Sequence, residues 1–145
     1  MNLIEIFSII IIHWFADFVL QTDKQAKDKS KNWSDLLEHT LSYSTIWFIV
    51  GNLLWILYDD IWIGAKFALI TFIAHTITDY FTSRLNSKLI PKREYAHNYG
   101  NVIDKYSFFR YKTENWHNFF VSVGFDQVLH YIQLFLTYYY LKTWA

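Results

Sequence analysis

The 145-residue chain contains no cysteine and very little proline or glycine, with one proline and four glycines. The missing cysteine excludes disulfides, thiolate metal sites and a cysteine nucleophile, so any metal ion must be bound by histidine, carboxylate or water. So few glycines argue against a phosphate-binding glycine loop. Acidic and basic residues balance at a net charge of +0, and we therefore expect no nucleic-acid partner.

Familiar catalytic motifs are also missing from the sequence. There is no HExxH, GxSxG, Walker A or GxGxxG motif, which removes the zincin, serine-hydrolase and nucleotide-binding routes. The adjacent His-Asp dipeptide of soluble histidine-aspartate phosphohydrolases does not occur either. Any chemistry must therefore come from a different arrangement of polar residues.

What the sequence does contain is apolar and aromatic, at 53% hydrophobic and 21% aromatic residues. The apolar residues form four runs, each near the roughly 20 residues that a membrane-spanning helix needs. We predict an all-α integral membrane four-helix bundle in a single domain, 1–145, with helices at about 3–22, 36–58, 61–84 and 118–141. The first run lacks a basic flank and a cleavage pattern, so we expect it to stay as a helix.

The connectors predict the topology. A short acidic turn, Asp59-Asp60, makes helices two and three antiparallel neighbours. The connector 85–117 is long, polar and rich in aromatic residues, and it forms either a lid over a site or an interfacial segment. All but Lys66 and Lys142 of the 13 lysine and arginine residues fall on one side. The positive-inside rule then places the basic connectors in the cytoplasm and both termini outside, in a bacterial inner membrane.

Three of the predicted helices carry a histidine and an aspartate four residues apart within an apolar run. On an α-helix this spacing puts both side chains on one face, about 6 Å apart along the axis. The order is reversed in the last helix, which runs opposite to the first and third, so each aspartate lies nearer the cytoplasm than its histidine. His39 falls at the level of the aspartates. The pairs are His13 and Asp17, His75 and Asp79, and Asp126 and His130.

Three aspartates at one depth in a membrane call for a counter-charge. Each costs ~2.5–3.5 kcal/mol near a helix centre, and together they repel one another. A divalent cation solves both problems, because Zn, Mn and Fe accept carboxylate and imidazole ligands. We predict one or two ions, with Zn favoured over Mn and Fe, and with an aspartate bridging in the two-ion case. The predicted ligands are His13, Asp17, His39, His75, Asp79, Asp126 and His130.

Further roles follow from position. Gln21 and Gln127 are predicted to orient a ligand or a water molecule, although Gln21 at a helix end equally suits a cap. An aspartate that the metal does not fully use would act as general base, so Asp17, Asp79 and Asp126 are the predicted catalytic residues. His97 and His117 are expected to face solvent or the membrane interface. The sequence therefore predicts a single His/Asp centre inside the helices.

These motifs resemble the domain-of-unknown-function family 3307, small bacterial and phage membrane proteins. The resemblance rests on HWFADFVLQTD at 13–23, on His39, on HTITD at 75–79 and on DQVLH at 126–130. It covers all four helices, while the connector 85–117 looks particular to this chain. It implies the membrane topology and the named polar positions, but no substrate. The pattern is more loosely similar to bacterial membrane-bound metal-dependent hydrolases.

The function that this pattern favours is a membrane-embedded metal-dependent hydrolase acting on a lipid-like or phosphoester substrate at the cytoplasmic leaflet. An amphiphile readily presents its head group at that depth. The alternative is a non-enzymatic small membrane protein, either a proton or cation conduit or a phage-type membrane effector, whose pairs relay protons or tie helices together. Membrane lipids are the expected partners, and the aromatic outer faces also allow a homo-oligomer.

Overall fold

The structure is a computed structural model that describes residues 1–58, 62–89 and 113–144, with side chains described at 1–53, 62–89 and 117–143. Within these ranges the chain is entirely helical and has no β-strand, which confirms the all-α prediction. The acidic turn at 59–60 and residues 90–112 of the predicted lid lie outside the described residues. The helices are α1 (Leu3–Trp14, continued by a π-helical segment, Phe15–Val19), α2 (Asp23–Asp28), α3 (Trp33–Tyr58), α4 (Ile63–Leu89) and α5 (Thr113–Trp144).

The first and last helices are tied together at their outer ends. Asn2 caps α1 by accepting a hydrogen bond from the Glu5 backbone N–H at 2.9 Å, and the Glu5 carboxylate accepts one from the Asn2 N–H at 2.8 Å. The same carboxylate accepts a hydrogen bond from the Lys142 ammonium, near the end of α5, at 2.6 Å. The start of α1 therefore lies beside the end of α5, and the two helices are antiparallel.

The first connector folds back over the helix ends through the short helix α2. Thr22 and Gln25 form its capping box, and the Gln25 side chain is buried. Lys24 donates to the buried carboxylate of Asp35 in the first turn of α3 at 2.8 Å. These contacts give the segment 23–31 a fixed position against the longer helices.

Helices α3 and α4 pack closely because glycines lie at their crossing. A Cβ atom added to Gly51 would lie 2.5 Å from the Cα of Gly64, nearer than any real side chain could stand. A hydrogen bond between the hydroxyls of Thr76 and Thr40, at 3.0 Å, joins the same two helices further along. The small residues thus allow the two backbones to approach and hold α3 and α4 in register.

Polar side chains concentrate inside the structure and large apolar side chains concentrate outside. Leu3 and Ile4 are 69% and 78% exposed, and exposed apolar residues recur along α1, α3, α4 and α5. Within the described ranges, the segment His117–Thr143 is the one that is long and apolar enough to cross a membrane, which supports membrane association at a coarse level. The buried apolar cluster is Ile9, Ala16, Tyr43, Trp47, Phe67, Leu134 and Tyr138.

Candidate metal centre

The predicted ligands converge beside this apolar cluster. The π-helical segment after α1, together with α3, α4 and α5, brings carboxylates and imidazoles to one place, and α1 adds a further histidine. Each of these residues is at most 8% exposed. Three overlapping groups of them could hold a metal ion, since the ligand atoms of each group lie within 4.8 Å of one another. The residues are His13, Asp17, His39, His75, Asp79, Asp126 and His130.

A π-helical turn positions Asp17. The Leu20 backbone N–H donates to the carbonyl of Phe15 at 3.1 Å, so the hydrogen bond spans five residues where an α-helix spans four. The wider turn occurs where the Asp17 carboxylate meets α3, with Oδ1 lying 3.1 Å from Nε2 of His39. Sequence spacing assumed a regular α-helix and missed this turn, whose kind is often found at functional sites.

Four ligand atoms form the first group, with His39 at its centre. His39 Nε2 lies 3.1 Å from Nε2 of His75, 3.1 Å from Oδ1 of Asp17 and 3.3 Å from Oδ2 of Asp79. His75 Nε2 lies 3.4 Å from the same Asp17 oxygen and 3.6 Å from the same Asp79 oxygen. A tetrahedral ion with ligands at about 2.0–2.1 Å separates them by ~3.3–3.4 Å. The observed spacing therefore suits a four-coordinate ion.

The second group shares Asp79 with the first. Oδ1 of Asp79 lies 3.5 Å from Nε2 of His130, on the opposite side of the carboxylate from His39 and His75. His130 Nδ1 donates to the backbone carbonyl of Asp126 at 2.8 Å, so in the neutral ring Nε2 carries a lone pair that faces a carboxylate oxygen. A cation between them would satisfy both atoms, and Asp79 is placed to bridge two such ions.

His13 makes hydrogen bonds through both of its ring nitrogens. Nε2 lies 2.9 Å from Oε1 of Gln127, and Nδ1 lies 3.0 Å from the hydroxyl of Tyr43. The Gln127 amide nitrogen faces Oδ2 of Asp17 at 3.4 Å and Oδ2 of Asp126 at 3.2 Å, which turns its oxygen toward His13. His13 therefore donates from Nε2 in this arrangement and accepts from Tyr43. Through Gln127, His13 helps to orient the carboxylates of Asp17 and Asp126. His13 could bind a metal ion through Nε2 only after its hydrogen bond to Gln127 is broken.

Gln21 and Tyr43 support the other two histidines. The Gln21 amide nitrogen lies 3.3 Å from Nδ1 of His39 and donates to it, which in a neutral ring leaves the proton on Nε2. Metal binding at Nε2 would need the Gln21 amide to turn its oxygen toward Nδ1. The His75 ring stacks on the ring of Tyr43, with centroids 3.9 Å apart. His75 Nδ1 is buried and has no hydrogen-bond partner among the described residues. His117, by contrast, is exposed on α5 and takes no part in the centre.

Lys29 is the residue at the centre that sequence reasoning missed. Its ammonium donates to Oδ2 of Asp79 at 2.8 Å, and its side chain is only 16% exposed. Burial alone lowers the pKa of Lys29, but the carboxylates of Asp79 and Asp17 outweigh this effect and raise that pKa above its usual value. In the sequence Lys29 is one of several connector lysines, and no pattern distinguishes it. In the structure it supplies positive charge to the oxygen that completes the first group.

A partly open cavity of about 630 Å³ leads from the surface to this centre. Asp17, Asp126 and Gln127 line it on the side of the centre, and Lys29 lines it from the first connector. The carboxylates are therefore reachable from outside the protein although their side chains are largely buried. A small molecule or head group of matching size could approach the candidate ligands by this route.

Comparison with known proteins identifies the family of the chain but gives no information on its activity. No curated protein and no solved structure matches the chain, so the looser similarity to membrane-bound hydrolases has no support from them. The model of one family, described as a protein of unknown function (DUF3307), matches residues 6–145, a range that holds every residue of the centre. The chain belongs to the DUF3307 family.

Proposed function

We propose that the protein is a membrane-embedded, metal-dependent hydrolase that acts on a lipid-like phosphoester at the cytoplasmic leaflet. The observation that carries this proposal is the spacing of the first group. The ligand atoms of Asp17, His39, His75 and Asp79 lie 3.1–3.6 Å apart in five of their pairs, as the ligands of a tetrahedral ion do. Zn is the favoured ion for this mixture of imidazole and carboxylate, and Mn or Fe would also accept it.

The distribution of side chains supports a membrane setting. The outward faces of α1, α3, α4 and α5 carry exposed leucine, isoleucine and phenylalanine, whereas the buried positions are largely polar. A glycine contact such as Gly51 on Gly64 is typical of helices that pack in lipid, where close backbone approach replaces the hydrophobic effect. We propose that these four helices form a membrane bundle, with both termini outside and the basic connectors in the cytoplasm.

Two ions could be held with Asp79 as a ligand common to both. Asp17, His39 and His75 would complete the first site, and Asp126 and His130 would complete the second. When bound, such ions would supply Lewis-acid activation of a phosphoester and of water at neutral pH. Asp126 lies at the cavity and has fewer contacts to histidines than Asp79, so we assign it the role of general base. Gln127 bridges Asp126 and Asp17 by donating to both carboxylates.

Elemental analysis of detergent-purified protein tests the proposal. We expect one or two equivalents of a divalent metal in the wild type and almost none in the double variant His75→Ala, Asp79→Ala. Turnover of short-chain phospholipids and phosphate monoesters would then be measured with the same two samples. If the wild type holds less than one equivalent of metal, and the double variant holds the same amount, the hydrolase proposal is wrong.

The hydrogen bonds of His13 favour a second candidate function, transfer of protons or other cations. Tyr43, His13, Gln127 and Asp17 form a continuous series of hydrogen-bonding groups, with steps of 3.0, 2.9 and 3.4 Å. Series of this kind serve as proton relays in transporters. Protein reconstituted in liposomes would then carry a pH-dependent flux without holding metal, and a His13→Phe variant would abolish that flux. Flux that persists in His13→Phe would exclude this series as the path.

A further inference from the structure

The cavity above the metal centre has walls of three different chemical kinds. The first connector contributes Lys27, Lys29 and Lys31 together with Asp28, whose carboxylate lies 3.5 Å from the Lys31 ammonium. The last turns of α4 contribute small polar side chains, and Phe18, Phe119 and Val123 contribute an apolar wall. The centre with Asp17 and Asp126 closes the inner end. A ligand with an anionic group near Lys27 and Lys29 and an apolar part near Phe18 and Phe119 would match these walls.

Three residues that line the cavity each carry a buried polar atom with no partner in the described part of the chain. These atoms are Oγ of Ser30, Oγ of Ser83 and Oδ1 of Asn86, and each is buried without a hydrogen bond. Ser83 as a whole residue is only 8% exposed. Buried polar groups are nearly always paired in proteins, so a cluster of unpaired ones at a cavity indicates a ligand that would pair with them. Hydroxyl groups suit the oxygen atoms of a phosphate, to which they donate.

Lys29 pairs with Asp79 in this structure, and its side chain also lies where it could contact an anion in the cavity. Its ammonium contacts Oδ2 of Asp79, the same oxygen that faces His39 and His75. A divalent cation at the first group would take over the neutralisation of Asp79 and repel the ammonium. The side chain also lines the cavity, so its released charge would be available to an anion there. Lys27, which is exposed, would add to the attraction, whereas the charge of Lys31 is partly offset by Asp28.

We propose that this cavity binds the phosphate group of an anionic amphiphile, and that Lys29 contacts that phosphate once a divalent cation occupies the Asp79 site. The inference rests on the proposed function and names the substrate class for the same centre. The hydroxyls of Ser30 and Ser83 would donate to the phosphate, and Asn86 would do so through its amide nitrogen, while Phe18 and Phe119 face the apolar chain. Metal and phosphate therefore bind cooperatively, because the ion releases the lysine that the phosphate needs.

Direct binding measurements on the full chain in detergent test this inference. The probes are dioctanoyl phosphatidate, dioctanoylglycerol, which lacks the phosphate, and inorganic phosphate, which lacks the chains. Each is titrated calorimetrically with and without one equivalent of zinc. The test variant is Lys29→Gln, and the matched control is Lys24→Gln, which removes a lysine of the same connector whose partner is Asp35, outside the cavity. Asn86→Ala, which changes the cavity without touching the carboxylates, serves as a second test should Lys29→Gln fold poorly.

We expect phosphatidate to bind the zinc-loaded wild type, and Lys29→Gln to weaken that binding about tenfold or more, as the loss of a charged hydrogen bond does. Asn86→Ala should weaken it less, and Lys24→Gln should leave it unchanged. Equal binding of dioctanoylglycerol, equally tight inorganic phosphate, or an unchanged affinity in both Lys29→Gln and Asn86→Ala would overturn the inference. So would phosphatidate binding that is as tight without zinc.

The two proposals fail in different ways. Protein that holds zinc and binds phosphatidate through Lys29, but cleaves none of the phosphoesters offered, would refute the hydrolase and leave the binding site. Protein that holds zinc and cleaves a phosphoester, with a kcat and a KM that Lys29→Gln leaves unchanged, would refute the phosphate site and leave the hydrolase.

Discussion

The Nε2 atoms of His39 and His75 lie 3.1 Å apart, and both also face an oxygen of Asp17 and an oxygen of Asp79. A single proton on one of these nitrogens can be shared with only one acceptor, so a hydrogen bond between the rings leaves the other contacts unsatisfied. A cation at the middle of the four atoms would satisfy all of them at once. This relationship is the strongest argument that the centre binds metal.

Removal of Asp79 should empty both proposed ion sites, whereas removal of Asp126 should empty one. Asp79 presents Oδ2 to His39 and His75 and Oδ1 to His130, while Asp126 belongs to the second group alone. Metal content measured by inductively coupled plasma mass spectrometry should fall to near zero in Asp79→Asn and by about half in Asp126→Asn, if the wild type holds two ions. Asp35→Asn, a buried carboxylate bound to Lys24, is the control and should keep its metal.

Chelation should lower the stability of the folded protein. Asp17 and Asp79 face the same two histidines, and without an ion Lys29 is the nearest positive charge to Asp79. A ligand that binds only the native state adds about 2.7 kcal/mol to the free energy of unfolding when its free concentration is 100 times Kd. Removing the ion should therefore lower the melting temperature by several degrees. Differential scanning fluorimetry in detergent, with and without EDTA and after zinc is restored, measures this shift. A melting temperature indifferent to EDTA and zinc would contradict the metal centre.

Gly51→Ala should destabilise the protein, and Gly124→Ala should not. The new methyl group at position 51 would meet the Gly64 Cα at 2.5 Å, so α3 and α4 must separate. Overpacking of this kind typically costs about 1–3 kcal/mol. A Cβ at Gly124 would have nothing within 4 Å, and alanine favours a helix there. Thermal unfolding of the two variants compares them directly, and equal stability would mean that the contact between the glycines is not a close one.

Gln127→Leu should weaken metal binding without removing a ligand. Gln127 accepts from His13 and donates to Asp17 and Asp126, so it fixes the direction of two carboxylates. Loss of such an orienting partner typically costs about 10–100-fold in metal affinity. Competition with a zinc-selective fluorescent chelator measures the affinity. Gln133→Leu is the matched control, because Gln133 lies on the same helix and donates to Thr78 outside the candidate ligands. Equal affinity in the two variants would argue against this role of Gln127.

The parts of the centre that the sequence predicts are those governed by local geometry. A spacing of four residues on a helix is enough to place His75 and Asp79 on one face, and the structure brings these two side chains together with His39. The π-helical turn at Asp17 depends on a change of hydrogen-bond register that residue types do not specify. Lys29 reaches the centre because the first connector folds back over the helix ends and buries Gln25, a path of the chain that no local sequence pattern specifies.

The partnership of His13 with Tyr43 and Gln127 was also out of reach of spacing rules. Tyr43 lies in an apolar run and has the same character as the many other tyrosines, while Gln127 comes from a helix 114 residues away from His13 in sequence. Sequence patterns predict which residues share a face of one helix. The proton positions on an imidazole follow from the atoms that face it on other helices, and these require coordinates.

The ion pair between Glu5 and Lys142 has a practical consequence for work at surfaces. Glu5 and Gln21 are separated along the first helical stretch by roughly 24 Å, at about 1.5 Å per residue, so both chain ends lie far from the cavity. An affinity handle or fluorophore fused at either end would leave the cavity mouth unobstructed. Protein immobilised on a sensor chip through such a handle would present that mouth to the flowing solution, in a uniform orientation.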